Sequence, residues 1–309
     1  MTGVQTCALP ICGHESGFGS DADVIFVHDP RPGLDGTVDG TGDRRASEAA
    51  QAVGAELRRL LSLPAPDPPL LVDADLRPEG RQGPLVRSLA ACRAYYERRA
   101  APWEFQALLR AEFSVGSPEL GAEFIALADR FRYPVGGLDE PTVREIRRLK
   151  ARMESERIPR GTDRALHLKL GPGGLSDVEW TAQLLQLRHG HATEPLRTTR
   201  TIEALDAAVA AGLATHADAE ALAAAWRFGS RIRNAIMLVR GRPGDALPVK
   251  HDELTAVARL LGYKPAVTSS DIRAQPIPSW NDTPAQALEE DYRRTARRAR
   301  KVMDRLFYG

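Results

Sequence analysis

The sequence predicts an α+β domain followed by an all-helical bundle, on the basis of three observations. A β-branched run at 23–27 lies between Gly and Asp/Pro turn signals, and a second apolar run at 70–76 ends before Pro78, so we predict two buried strands. After Pro84, apolar residues recur at helical spacing almost to the end of the chain. At roughly 150 residues per domain, the length predicts about two domains.

The predicted boundary lies near residue 115, which gives an α+β domain at 13–115 and a bundle at 116–309. A Pro/Ser-rich stretch at 264–284 is predicted to be a mobile linker before the last helix. Apolar spacing and proline positions predict helices at 47–62, 85–99, 102–111, 118–132, 141–157, 176–189, 199–211, 217–239, 252–261 and 285–307.

Composition excludes several classes of protein. The chain has 42 Lys and Arg against 41 Asp and Glu, so no global field draws it to nucleic acid or to an anionic membrane. No segment approaches the roughly 18 apolar residues that a membrane span needs. The three cysteines, Cys7, Cys12 and Cys92, are too few for a disulfide scaffold or a four-cysteine metal site. We therefore expect a cytoplasmic protein with neither nucleic acid nor membrane as a partner.

The first twelve residues, MTGVQTCALPIC, differ in character from the rest. They lack the positive n-region and the cleavage site of a signal peptide. The string resembles a translated sequencing-adapter read-through, so we expect 1–12 to be a non-native leader and the native chain to enter at Gly13. The α+β domain is then truncated at its start, and Cys92 is the only native cysteine.

Two acidic residues open the first predicted strand. In the string Phe-Gly-Ser-Asp-Ala-Asp, Asp21 and Asp23 are two residues apart and point to the same face of a strand. Carboxylates so placed repel each other unless a cation lies between them, and Mg²⁺ is the natural partner because it leaves positions for water and phosphate oxygens. Taken alone, the pattern also fits a plain turn that ends a loop.

A second acidic strand strengthens the prediction. Asp73 and Asp75 again share one face of a strand that otherwise carries core residues, and buried carboxylates are costly without a cation. Two such strands side by side would gather three or four carboxylates. Arg77 and Arg81, just beyond, could contact phosphate oxygens. The pattern predicts phosphoryl or nucleotidyl transfer with two metal ions.

The GSDxD turn followed some fifty residues later by an acidic strand resembles the DNA polymerase β-like nucleotidyltransferases. A longer set of motifs, in one order between 13 and 309, is similar to the glutamine synthetase adenylyltransferase family. These motifs are VDADLRPEGRQGPLV at 72–86, WEFQALLR at 103–110, KLGPGGLSDVEW at 169–180, LLQLR at 184–188, and an Arg-rich final helix at 293–300 before a terminal FYG. The resemblance implies a nucleotidyltransferase domain before the bundle.

The resemblance also implies a function. The family enzyme is bifunctional, with one copy of the nucleotidyltransferase and bundle pair removing AMP and the other adding it. This chain looks like the C-terminal, adenylylating half of an actinobacterial-type member, which moves AMP from ATP to a tyrosine of glutamine synthetase and so regulates nitrogen assimilation. Two alternatives remain: phosphorolytic removal of AMP, or an incomplete fragment that only docks glutamine synthetase or a PII-type signal protein.

Residue roles follow from the resemblance. Asp21 and Asp23 are expected to hold Mg²⁺ ions that bridge the triphosphate of ATP, and Asp73 is expected to be the third carboxylate, near the attacking hydroxyl. Gly19 and Ser20 shape the turn, and Ser20 can donate to a phosphate oxygen. The Gly-Gly or Gly-Ser turn that cradles the triphosphate in this superfamily coincides with 11–13 here, so we expect weak activity.

Two points are left open. Asp75 is less certain as a site residue because other branches of the family carry arginine there. The glycine-rich string at 169–175 fits either a phosphate-cradling loop or a turn before a helix, with Ser176 as the cap and Asp177 and Glu179 favouring the helix dipole.

Overall fold

The computed structural model describes residues 4–8, 15, 17–30, 40–64, 71–264 and 283–309. The strands are β1 Val4–Ala8, β2 Ala22–His28, β3 Val72–Asp73, β4 Val86–Ser88 and β5 Glu112–Val115. The α-helices are α1 Gly40–Leu61, α2 Leu89–Arg98, α3 Pro102–Leu108, α4 Pro118–Arg132, α5 Glu140–Glu156, α6 Leu175–His189, α7 Thr201–Ala210, α8 His216–Arg240, α9 His251–Leu260 and α10 Pro284–Met303. The predicted α+β class is confirmed.

The sheet is mixed and small. Its strand order is β3-β2-β1-β5, and β4 also pairs with β2. β2 runs parallel to both β3 and β4, with β3 beside its first residues and β4 beside its last ones. β1 runs antiparallel to β2 and to β5. β1 lies within the predicted leader, and the non-native origin of that segment stays a prediction.

Strand β2 is covered on both faces. Val24 and Phe26 belong to a buried cluster that includes Ala50 of α1. Ile25 and Val27 point the other way, into a cluster formed with residues of α2, α3 and α4. A strand buried on both faces needs a continuous apolar run, which is what the sequence supplies after Asp23. The alternation places Asp23 on the same side as Ile25.

Two elements of the first 115 residues differ from the sequence-based expectation. The helix predicted at 85–99 begins as the strand β4, and α2 starts only at Leu89, where the Ser88 hydroxyl accepts from the Ala91 N–H at 3.2 Å. β5 was not predicted. Both strands have four residues or fewer, and their pairing partners rather than local propensity decide them. Cys92 is buried in α2, and burial raises the pKa of its thiol to about 12.

The chain divides into two compact units. The first contains 1–16, 20–146 and 183–207, and the second contains 17–19, 147–182 and 208–309. The first unit continues through Ile146. The domain boundary expected near residue 115 stays a prediction. The linker predicted at 264–284 falls almost wholly on 265–282, outside the described residues.

The second unit is built around α8, α9 and α10. Its core contains Ile236, Val257, Leu288 and Tyr292, and the Tyr292 hydroxyl donates to the His167 carbonyl at 3.3 Å. The helix predicted at 285–307 buries an apolar stripe that contains Leu288, Tyr292, Ala296, Ala299 and Met303. No helix in the described part of the chain is long and apolar enough to cross a membrane.

The glycine-rich string at 169–175 makes a close approach between chain segments in the second unit. Gly173 has φ of 75°, and a Cβ there would lie 1.8 Å from the Ala296 carbonyl oxygen in α10. Its N–H donates to Oδ2 of Asp177 at 2.7 Å. Helix α6 begins at Leu175, so Ser176 lies inside the first turn rather than capping it. In the structure, the glycine-rich string packs its backbone directly against the backbone of α10.

Candidate functional site

The site begins with two carboxylates on adjacent strands. In the parallel pairing of β2 and β3, Asp23 lies opposite Asp73, and the Ala22 N–H donates to the Leu71 carbonyl at 2.7 Å. Neighbouring strands are about 4.8 Å apart, and residues in register on parallel strands point to the same face. Both aspartates are partly exposed. The register therefore places two carboxylates side by side where β2 begins.

The remaining predicted residues of the turn come directly before β2. Asp21 is exposed and Ser20 is partly buried. Gly19 has φ of 72°, which disfavours any residue with a side chain, and a Cβ there would also lie 3.3 Å from the Met237 sulfur. Among the described residues, no group of three His, Cys, Asp or Glu side chains is close enough to hold a metal ion. The structure thus pairs Asp23 with Asp73.

Asp75 is held by arginines from its own loop. Its carboxylate accepts from Arg81 Nε at 2.6 Å and lies 3.5 Å from Arg77 Nη1. The Arg81 hydrogen bond holds the pKa of Asp75 below its usual range and raises the pKa of Arg81. The Asp75 N–H donates to Oδ1 of Asp73 at 2.7 Å. Asp75 therefore braces the loop and orients its neighbour Asp73.

The two arginines predicted to contact phosphate differ. Arg77 donates to the carbonyls of Ala74 at 2.8 Å and Pro84 at 3.1 Å, and also to that of Gly83, with 10% of its side chain exposed. Arg81 has 85% of its side chain exposed. In this structure Arg77 fastens the loop that follows β3, whereas Arg81 keeps its guanidinium accessible.

Sequence reasoning missed Glu79 in the same loop. Its φ of 63° is uncommon for a residue other than glycine and marks a constrained turn. Its carboxylate pairs with Arg87, and with Arg99 at 3.1 Å. The Pro-Glu-Gly string at 78–80 is a turn signal that could have pointed to it. Glu79 helps to fix the loop that carries Arg81.

The chemistry of the paired carboxylates fits a hard divalent cation. Carboxylate oxygens are the ligands that Mg²⁺ uses in proteins together with water and phosphate. Among the described residues, no lysine or arginine lies within ion-pair distance of Asp21 or Asp73. A bound divalent cation would offset the mutual repulsion of Asp23 and Asp73.

Two family models match the chain in sequence order. Residues 11–127 match glutamate-ammonia ligase adenylyltransferase, and residues 147–307 match GlnD PII-uridylyltransferase. The first match contains the paired carboxylates and their loop. The second covers most of the second unit.

Curated relatives match across almost the whole chain. A protein of Streptomyces coelicolor, named bifunctional glutamine synthetase adenylyltransferase/adenylyl-removing enzyme, is 57% identical over 96% of this chain. Proteins of the same name in Nocardia farcinica and Mycobacterium tuberculosis are 49% and 47% identical over 96% of it. The chain spans 27% of the length of these relatives. By these matches, the chain belongs to the family of bifunctional glutamine synthetase adenylyltransferase/adenylyl-removing enzymes.

Proposed function

We propose that this chain is the adenylylating part of its family's enzyme and transfers AMP from ATP to a tyrosine hydroxyl of glutamine synthetase. The observation that carries the proposal is the register of β2 and β3, which sets Asp23 beside Asp73. The nucleotidyltransferase fold, the use of Mg²⁺ and a cytoplasmic location belong to the same proposal. A PII-type signal protein is proposed as a further partner of the helical bundle.

The proposed reaction exchanges a phosphoanhydride bond of ATP for a phosphodiester bond to tyrosine. The tyrosine oxygen forms a bond to the α-phosphorus of ATP, the bond from that phosphorus to the bridging oxygen breaks, and pyrophosphate leaves. Asp73 accepts the hydroxyl proton, which then passes to water. Because tyrosine has an ordinary pKa of about 10, the base alone does not ionise it. Asp23 and Asp73 would hold Mg²⁺, with Asp21 as a third ligand that would have to move toward them, and the ion would neutralise charge at the phosphates.

The surrounding residues bind and orient the nucleotide in this proposal. Gly19 gives the turn a backbone conformation that a side chain would hinder, and Ser20 donates to a phosphate oxygen. Arg81 is the accessible guanidinium and contacts a phosphate oxygen, with Arg77 as a second contact if it releases a loop carbonyl. Asp75 holds Arg81 until the nucleotide arrives.

The test uses labelled ATP, Mg²⁺ and glutamine synthetase. We expect label on a tyrosine of the target with the unchanged chain and none with Asp21→Asn. Asp29→Asn is the matched control, because Asp29 is an exposed aspartate just beyond the other end of β2. Label with Asp21→Asn as strong as with Asp29→Asn would contradict the site.

The relatives' name also covers removal of AMP, so the same samples should be tested in that direction. Phosphate-dependent loss of AMP from modified glutamine synthetase, without any incorporation, would assign the chain to the adenylyl-removing activity. Binding of glutamine synthetase without either reaction would make it a docking module. Both outcomes contradict the proposal.

A further inference from the structure

An ion pair in the first unit joins three segments that are far apart in sequence. Oε2 of Glu15 accepts from Arg110 Nη1 at 2.6 Å and from the Thr201 hydroxyl at 2.8 Å, and its Oε1 accepts from the Thr201 N–H at 2.8 Å. Arg110 also donates to the Thr199 carbonyl at 3.0 Å. Glu15 precedes the GSDxD turn, Arg110 follows α3, and Thr201 opens α7.

Both charged side chains of this pair are largely removed from water. Each has 13% of its surface exposed. Burial of an ion pair costs desolvation energy, which is repaid only when further hydrogen bonds satisfy both groups. Here the carboxylate accepts three hydrogen bonds, and the guanidinium reaches both the carbonyl of Thr199 and the hydroxyl of Thr201 at 3.1 Å. The pair is therefore held in one geometry.

The pair fixes one end of the segment that carries the turn. At the other end, β2 begins at Ala22, whose N–H donates to the Leu71 carbonyl at 2.7 Å. Ser20 and Asp21 thus lie in a short segment tethered at both sides. A shift of about 1 Å in a substrate-contacting group can cost roughly a hundredfold in rate, so such tethers have functional value.

We propose that Glu15 and Arg110 are positioning residues, which hold the segment containing Ser20 and Asp21 in the geometry that binds Mg²⁺ and ATP. The inference rests on the proposed function, because it takes Ser20 and Asp21 as contacts of the nucleotide. Neither Glu15 nor Arg110 touches the nucleotide in this proposal.

The first test measures ATP binding, which does not require transfer. Binding of ATP with Mg²⁺ to the full chain is titrated for Arg110→Met, Glu15→Gln and the double variant. We expect each single variant to raise Kd roughly tenfold to a hundredfold. The Kd of the double variant should be no higher than that of the single variant with the higher Kd, because both substitutions break the same contact. Arg188→Met is the matched control, because it breaks another arginine–glutamate pair of the first unit, with Glu140 at 2.9 Å.

A second readout needs no nucleotide. Amide hydrogen exchange of residues 15–23 should become faster in Arg110→Met than in Arg188→Met, while exchange in α4 stays the same. Unchanged exchange in this segment would overturn the inference, as would an unchanged Kd in a chain that binds ATP. If the unchanged chain binds ATP but transfers no AMP, the proposed function fails and the two readouts still decide the role of the pair.

Discussion

The chain places aspartates in two contrasting environments. In the second unit, Asp177 is fully buried, and its carboxylate contacts Lys150 Nζ at 2.6 Å and Arg300 Nη1 at 3.2 Å. In the first unit, Asp23 and Asp73 lie side by side and partly exposed on adjacent strands. The first arrangement surrounds a buried carboxylate with positive groups, and the second places two partly exposed carboxylates on neighbouring strands.

The difference separates a structural acid from a functional one. Lys150 is itself fully buried, donates to Glu154 at 2.8 Å, and lies 5.9 Å from the ring centroid of Trp180. Removing one partner there leaves the buried charges less fully compensated. Replacing Asp73, which is partly exposed, leaves no fully buried charge behind. The same substitution, aspartate to asparagine, should thus act on stability in one place and on activity in the other.

The largest effect is expected from Asp177→Asn. Asparagine has the same shape but leaves Lys150 and Arg300 with less compensating charge, so we expect roughly 3 to 5 kcal/mol lower free energy of unfolding. Chemical denaturation measures it. Asp163→Asn is the control, because Asp163 has 51% of its side chain exposed in its pair with Arg293 and should cost less than about 1 kcal/mol. Equal losses of unfolding free energy in Asp177→Asn and Asp163→Asn would show that the buried ion pair is no more important for stability than the exposed one.

Asp73→Asn should lower activity and leave stability nearly unchanged, the opposite of Asp177→Asn. Asparagine can still accept the hydrogen bond from the Asp75 N–H, so we expect the thermal midpoint to stay constant or rise slightly. AMP transfer should fall by at least about 100-fold, because the proposed base and metal ligand is lost. A fall in the midpoint comparable to that of Asp177→Asn would show that Asp73 is structural.

Gly173→Ala tests whether the second unit depends on close packing around Asp177. The added Cβ would meet the Ala296 carbonyl oxygen at 1.8 Å, so we expect a loss of about 1 to 3 kcal/mol or more. Gly161→Ala shares the positive φ, with a value of 84°, but nothing lies within 4 Å of its Cβ. The difference between the two variants isolates the clash from the backbone strain. No difference would mean that α10 shifts freely.

Arg81→Gln should have the smallest effect on stability. The side chain is 85% exposed, so water and salt screen its pair with Asp75 and the pair adds little to stability. The depressed pKa of Asp75 means that this contribution is present above the ordinary pKa of the group and is lost as pH falls through the lower folded value. The proposed phosphate contact predicts a higher KM for ATP. An unchanged KM for ATP would show that Arg81 only pairs with Asp75 and does not contact a phosphate.

Sequence signals that lie within one short segment, such as capping residues and apolar periodicity, predicted helices and strands of the structure. Ser117 and Pro118 mark the start of α4, and the Ser117 hydroxyl accepts from the Leu120 N–H at 3.3 Å. The apolar stripe of α10 predicted a buried face, and the run after Asp23 predicted a strand covered on both sides. In each case the signal lies within one short segment of the chain.

Contacts between segments that are distant along the chain could not be predicted from the sequence. It predicted that acidic residues share a face, but only the register shows that Asp73 meets Asp23, while Asp75 lies beyond the end of β3. The pairing of Glu15 with Arg110 joins residues 95 positions apart, and no local pattern announces it. Arg77 was predicted as a phosphate contact on charge alone, which cannot show that backbone carbonyls already engage it.

The position of β1 bears on how this protein behaves at high concentration. Val4–Ala8 pairs with β2 on one side and with β5 on the other. Deleting these five residues without a substitute would expose two rows of unpaired backbone groups, and such open edges recruit strands from other molecules. A shortened chain would then self-associate, through edge pairing or domain swapping, before any change in its chemistry became visible.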